Sequence, residues 1–294
     1  MSRRGKFRAN VLRLADVGAH TGIPSSDPFF HDHLILAEGD SWFSIGGFPP
    51  TNLLYGLRFK THTMVVSCAE PGDTILNMSK LTRNAQYKRA LSRNGYPWDL
   101  ILLSGGGNDL IDAAGKIVRK PSERRPRNPS TVEGYVKKSV LAGILKDVKQ
   151  GYRDLAAVRD RPQSQAQGKP IVTHTYDYAT PRNEPARFVS FPLLGPWLYK
   201  AFTENEVPME QWLPLARYLI DALAEAIESL QKGNNRITNF HVVDTRGTLT
   251  PPRINDIGPT THWLNEIHPN HDGYSILGKK IEREKLYGLL YVDD

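Results

Sequence analysis

A serine, a glycine-flanked asparagine and a histidine lie far apart in the chain, each in a short segment rich in turn-forming residues. Ser41 stands in Gly39-Asp40-Ser41-Trp42, Asn108 in Gly105-Gly106-Gly107-Asn108-Asp109, and His268 in Asn265-Glu266-Ile267-His268-Pro269. A further glycine, Gly72, sits in Pro71-Gly72-Asp73-Thr74. Singly, each has a plain reading, since Gly-Asp-Ser and Gly-Asn-Asp are common turns and a histidine before proline is often a solvated loop residue. Together they supply a hydroxyl nucleophile, an imidazole base, and amide donors for a developing oxyanion, which is the equipment of acyl transfer.

That chemistry requires elements that bring the four segments to one place. Nearly continuous apolar runs predict strands at HLILAEG (33–39), HTMVVSC (62–68), WDLILLSGG (98–106), KPIVTHTYDY (169–178) and ITNFHVVDT (237–245). Such runs suit parallel strands covered on both faces. Helical segments are expected near 74–94, 131–160, 212–232 and 272–290. In the third, Leu215, Leu219, Leu223, Ile227 and Leu230 recur every three or four residues. Strand alternating with helix predicts an α/β/α sandwich around a five-stranded, mainly parallel sheet. Its carboxyl edge would then carry Ser41, Gly72 and Asn108, because open parallel sheets bind ligands there.

At these residues the chain resembles the SGNH/GDSL hydrolase family of serine esterases and lipases. Gly39-Asp40-Ser41-Trp42 matches the family's Gly-Asp-Ser-Leu block with Trp for Leu. Gly72 ends the glycine block, Gly107-Asn108-Asp109 matches the Gly-x-Asn-Asp block, and His268 opens the terminal histidine block. The resemblance spans residues 33–290 and implies a flavodoxin-like fold and ester hydrolysis through an acyl-serine. It implies Ser41 as nucleophile and His268 as base, with the N–H groups of Ser41 and Gly72 and the Asn108 amide as oxyanion donors. Asp40 and Asp109 are expected to cap the helices beside them.

One position departs from the family. Where an aspartate would orient the histidine, three residues before it, stands Asn265; the acid is Glu266. Three accounts compete: Asn265 orients His268 through its amide oxygen, Glu266 turns in, or another group such as Asp256 or a backbone carbonyl serves. Position favours Asn265.

The remaining composition narrows the class. The 294 residues, 39% hydrophobic and 23% charged, suit one hydrolase domain over 1–294, with 1–30 as an N-terminal extension. One cysteine excludes an intramolecular disulfide or a thiolate-rich zinc site, and no metal or organic cofactor is expected. The basic N-terminus lacks the apolar core of a secretory signal and no run is long enough to cross a bilayer, so the expected location is cytoplasmic, with signal-independent export as the other route. The charge of +7 gathers partly in RKPSERRPRNP (119–129), five basic residues against one acid. This segment reads as a solvated loop, or as contact with an anionic membrane surface. It lacks the interleaved aromatics of single-strand nucleic-acid binding, so no nucleic-acid partner is expected. The proline-punctuated segment 179–212 holds Phe188, Phe191, Leu193, Leu194, Trp197, Leu198, Tyr199 and Phe202 and reads as a lid. Phe43, Phe48, Leu53, Leu54 and Tyr55 are expected as the opposite wall. This favours a lipid-like or aryl acyl ester as substrate. A carbohydrate acetylesterase, and an impaired protein that binds acyl chains or a partner, are the alternatives.

Overall fold

The computed structural model describes residues 5–18, 26–44, 51–80, 82–188 and 191–291. Six strands form the central sheet: β1 (Asn10–Arg13), β2 (His33–Gly39), β3 (Thr63–Ser67), β4 (Leu100–Ser104), β5 (Ile171–His174) and β6 (Phe240–Val243). All neighbouring pairs are parallel, in the order β6-β5-β4-β2-β3-β1. Every residue of β3, β4 and β5 is buried, so both faces of the sheet are covered, as their unbroken apolar runs require.

The sixth strand is β1, from the segment expected to be an extension. Asn10, Val11, Leu12 and Arg13 carry no apolar run, because an edge strand is only partly covered. β1 is held by its register on β3, with Val11 opposite Val65.

The helices used below are α1 (Ile75–Ser79), α2 (Gly107–Asp112), α3 (Lys138–Arg159), α4 (Leu198–Glu204), α5 (Trp212–Glu228) and α6 (His271–Ile281). In α5 the buried Leu215, Leu219, Leu223 and Ile227 form one stripe, and Pro214 falls in the first turn, where its missing N–H is harmless. The expected helix at 74–94 is two short ones, because Asn84 starts a second at Ala85–Ala90 by accepting the Tyr87 N–H at 3.1 Å. Among the described residues no helix is long and apolar enough to cross a membrane.

The segment expected as a lid forms a hairpin (Ala186–Phe188 with Phe191–Leu194) followed by α4. Leu198 and Phe202 of α4 are core residues, whereas Leu194 is exposed. The side chains of Phe188, Phe191 and Leu193, and all of Phe48, lie outside the described residues. Phe43, Leu53 and Leu54, expected as a pocket wall, are buried in the core. The basic segment is anchored rather than simply solvated. Buried Arg124 donates to the carbonyls of Asn205 (3.1 Å) and Glu206 (3.2 Å) at the end of α4 and stacks over Tyr135.

The strand order fixes where a site can form. From β2 the chain crosses to β3 on one side, while from β4 it crosses to β5 on the other. The carboxyl ends of adjacent β2 and β4 therefore open onto a crevice between diverging connections, the place where open α/β sheets bind ligands.

Candidate active site

Ser41 leaves β2 directly into that crevice. The turn around it is tied down on both sides: Asp40 N–H donates to the Ser104 carbonyl at the end of β4, and the N–H groups of Phe43 and Ser44 donate to the Asp40 carbonyl, each at 3.0 Å. Ser41 itself is half-buried.

His268 approaches from the loop before α6. Its Nε2 lies 2.7 Å from Ser41 Oγ, and its Nδ1 lies 3.0 Å from Asn265 Oδ1. The same Oδ1 accepts the backbone N–H groups of Ile267 (3.1 Å) and His268 (2.9 Å). Two backbone donors can only meet an oxygen, so the amide orientation is fixed. Nδ1 must then carry the ring hydrogen, which leaves Nε2 as the acceptor for the Ser41 hydroxyl. Burial pushes the imidazole down to about 4, so it is neutral at ordinary pH.

Glu266 does not face the imidazole. Fully buried, its carboxylate accepts the N–H groups of Trp197, Leu198 (3.2 Å) and Tyr199 (2.7 Å) at the start of α4. Burial outweighs these donors and pushes it up to about 7. Asp256, the other candidate acid, accepts the Arg253 N–H within its own turn. Of the three accounts, the geometry brings Asn265 to the ring.

Asn108 lies in the first turn of α2, and its Nδ2 donates to the Asp73 carbonyl at 2.9 Å. That bond uses one amide hydrogen and ties the Gly72 loop to the Asn108 loop; the second hydrogen remains for a ligand. Gly72 has φ of +79° in open space, so its conformation, not crowding, calls for glycine. Asp109 caps a different helix from the one expected: its carboxylate accepts the Ile75 N–H of α1 at 2.8 Å. Asp40, expected as a cap, accepts the Trp42 N–H of its own turn at 3.0 Å. Burial raises both acids to about 6.

Ser41 and Asn108 border a cavity of about 30 Å³ walled by Ile111, Ala179, Ile220 and Ile267. Tyr176, two residues beyond β5, also lines it. Trp197 stands edge-on to His268, ring centroids 6.3 Å apart. Sequence reasoning passed over Tyr176 and the role of Glu266. Tyr176 falls inside the expected strand 169–178, which in the structure ends at His174.

The model of the GDSL-like lipase/acylhydrolase family matches residues 37–281. Solved structures similar to the chain include an extracellular lipase from Streptomyces rimosus (14% identity, 85% of this chain and 99% of that one, TM-score 0.46). Others are an aryl esterase of M. smegmatis (15%, 86% and 97%, 0.42) and a carbohydrate acetylesterase from Sinorhizobium meliloti (11%, 86% and 97%, 0.44). No curated protein matches the sequence.

Proposed function

The chain belongs to the GDSL-like lipase/acylhydrolase family, and we propose that it hydrolyses carboxylic esters of small acyl groups through an acyl-Ser41 intermediate. The observation that carries this reading is the unbroken line of hydrogen bonds from Ser41 Oγ through His268 to Asn265. Ser41 attacks the ester carbonyl while its proton passes to His268 Nε2. The imidazolium so formed keeps its Nδ1–H on Asn265 Oδ1. The N–H groups of Ser41 and Gly72 and the remaining Asn108 amide hydrogen receive the oxyanion. His268 then protonates the leaving alcohol, and water, deprotonated by the same nitrogen, releases the acid.

The cavity beside Ser41, about 30 Å³ and walled by Ile111, Ala179, Ile220 and Ile267, supports a short acyl group such as acetyl. The aromatic segment 179–212 favoured larger acyl groups from sequence alone, yet Leu198 and Phe202 are spent in the core. A short acyl ester, the acetylesterase alternative, is the better-supported reading. Turnover of p-nitrophenyl esters of graded length tests it: acetate should exceed octanoate, and the reverse order would overturn it. No turnover of any ester, with no labelling by a fluorophosphonate, would leave the binding-protein reading.

A further inference from the structure

We infer that Tyr176 is a positioning residue for ester hydrolysis: its phenol fastens the turn that carries Ser41 to the loop that carries Asn108, and so holds the two halves of the oxyanion site in register. The inference rests on the roles given above to Ser41 and Asn108.

Those two residues leave neighbouring strands, and the donors they offer must point at one oxygen. Tyr176 comes from the next strand, β5, and reaches back across the exit of β4 to the exit of β2. The hydroxyl end of its ring lies so close to Gly107 that a Cβ there would stand 2.7 Å from the phenol Cζ and 2.9 Å from Cε1. Glycine at 107 is therefore required by Tyr176, and the ring in turn fixes the backbone just before Asn108. From the same Cζ the Tyr176 hydroxyl donates to Asp40 Oδ2. The other carboxylate oxygen of Asp40 accepts the Trp42 N–H (3.0 Å) and the Ser104 hydroxyl (3.1 Å). Trp42 packs edge-on against the Tyr176 ring, centroids 5.0 Å apart. Asp40 and Trp42 flank Ser41 on either side in the chain. One side chain thus touches the residues bracketing the nucleophile and the residue preceding the oxyanion amide, and it also lines the cavity where the acyl group would sit.

Phenylalanine at 176 keeps the ring and its packing but removes the donor to Asp40 Oδ2. A carboxylate only 2% exposed cannot replace that donor with bulk water, so Asp40 must turn, and the Ser41 turn moves with it. Misplacement by about 1 Å commonly costs about 10²-fold in rate, and loss of one oxyanion donor about 10²–10³-fold.

The test compares wild type, Tyr176→Phe, Asp40→Asn and the double variant with p-nitrophenyl acetate, alongside Ser41→Ala. Tyr176→Phe should lower kcat by about 10–10²-fold with KM within about threefold, the split expected of a group that acts only in the transition state. The rate of labelling by a fluorophosphonate should fall by the same factor as kcat/KM, since phosphonylation builds charge on the same oxygen. The double variant should be no slower than the slower single, because both changes break one link. Wild-type kcat and labelling in Tyr176→Phe, even with a lowered Tm, would overturn the inference, and so would fully additive losses. If Tyr176→Phe does not fold, Asp40→Asn decides alone: a kcat loss at constant KM supports the inference and an unchanged kcat overturns it. Hydrolysis or labelling that survives Ser41→Ala would instead refute the nucleophile assignment. An inactive Ser41→Ala beside a normal Tyr176→Phe removes only the role of Tyr176.

Discussion

Asn265→Asp exchanges an amide for a carboxylate of the same shape, and the geometry sets what should follow. Asn265 Oδ1 already accepts hydrogens from Ile267 N, His268 N and His268 Nδ1, so a carboxylate oxygen meets the same donors without rebuilding the loop. What changes is charge. When Ser41 gives up its proton the imidazole becomes a cation whose Nδ1 is 3.0 Å from this side chain. Taking about 4 Å between charge centres and an effective dielectric of about 20, the attraction is about 4 kcal/mol. The surroundings resist part of it. The loop is dry enough to push Glu266 up to about 7 and His268 down to about 4, and Glu266 adjoins the new acid in sequence. Setting about half of the attraction against desolvation and repulsion leaves about 2 kcal/mol, about a 30-fold rise in kcat. The ceiling is the roughly 10⁴-fold that such a charge is worth in a serine protease.

The same 2 kcal/mol should appear as a pH shift. Only neutral His268 can act as base, and burial favours its neutral form, so in the wild type the expected limb is at about 4, with activity persisting into acid. A carboxylate at 265 favours the imidazolium and should move that limb upward by about 1.5 pH units. Asp40 and Asp109, held near about 6 by burial, titrate in the same range. The shift between variants, rather than its absolute position, is therefore the readout. The assay is kcat/KM for p-nitrophenyl acetate against pH in wild type and Asn265→Asp. A limb that stays put or moves down, with no gain in kcat, would refute the claim that Asn265 holds the imidazole.

Ser41→Ala should abolish ester hydrolysis and fluorophosphonate labelling with little change in Tm, because the half-buried hydroxyl leaves a turn held by backbone bonds; labelling of the variant would sink the assignment. Glu266→Gln should destabilise the protein by about 1–3 kcal/mol, since an amide cannot accept all the α4 N–H groups, yet leave the His268 limb in place; denaturant unfolding and the pH profile separate these, and a limb shift rivalling that of Asn265→Asp would contradict the structure. Burial raises Glu266 when folded, so wild-type stability should fall as pH climbs from the ordinary glutamate value of about 4.3 toward about 7. Urea midpoints across that window should slope less in Glu266→Gln, and equal slopes would argue against a raised Glu266. Ile111→Ala should enlarge the cavity beside Ser41 and raise the butyrate-to-acetate rate ratio; an unchanged ratio would place the acyl group elsewhere.

Much of this architecture is legible in the sequence because β2, β3 and β4 are buried on both faces and are therefore nearly continuous in apolar residues. HLILAEG became β2 without revision, and its end placed Ser41. β1 escaped because an edge strand is specified by its neighbour's hydrogen bonds, not by its own hydrophobicity. The histidine loop was legible only as a spacing. In an irregular loop, positions 265 and 266 have no periodicity to say which side chain faces position 268; the three hydrogens on Asn265 Oδ1 decide it. Tyr176 was hidden for a different reason. Its partners, Asp40 and Gly107, belong to two other strand ends, and only the order β5-β4-β2 makes them neighbours.

The exchange of acid and amide along Asn265-Glu266 has its own physical logic. Two ionised carboxylates side by side in this buried loop would raise each other's pKa, and one would take up a proton. The chain places its single acid where backbone N–H groups of α4 receive it, and a neutral acceptor where the imidazole needs orienting. In the proposed mechanism the imidazolium is stabilised less than beside a carboxylate, which should limit turnover. In return the imidazole gains no carboxylate beside it at position 265, and burial holds it down to about 4. Glu266 also makes the loop a mechanical link. One residue, Ile267, separates the carboxylate that grips the first turn of α4 from the ring that is hydrogen-bonded to Ser41, and Trp197 of the gripped turn stands against that ring. Glu266 and Trp197 thus tie the start of α4 to the loop that carries His268.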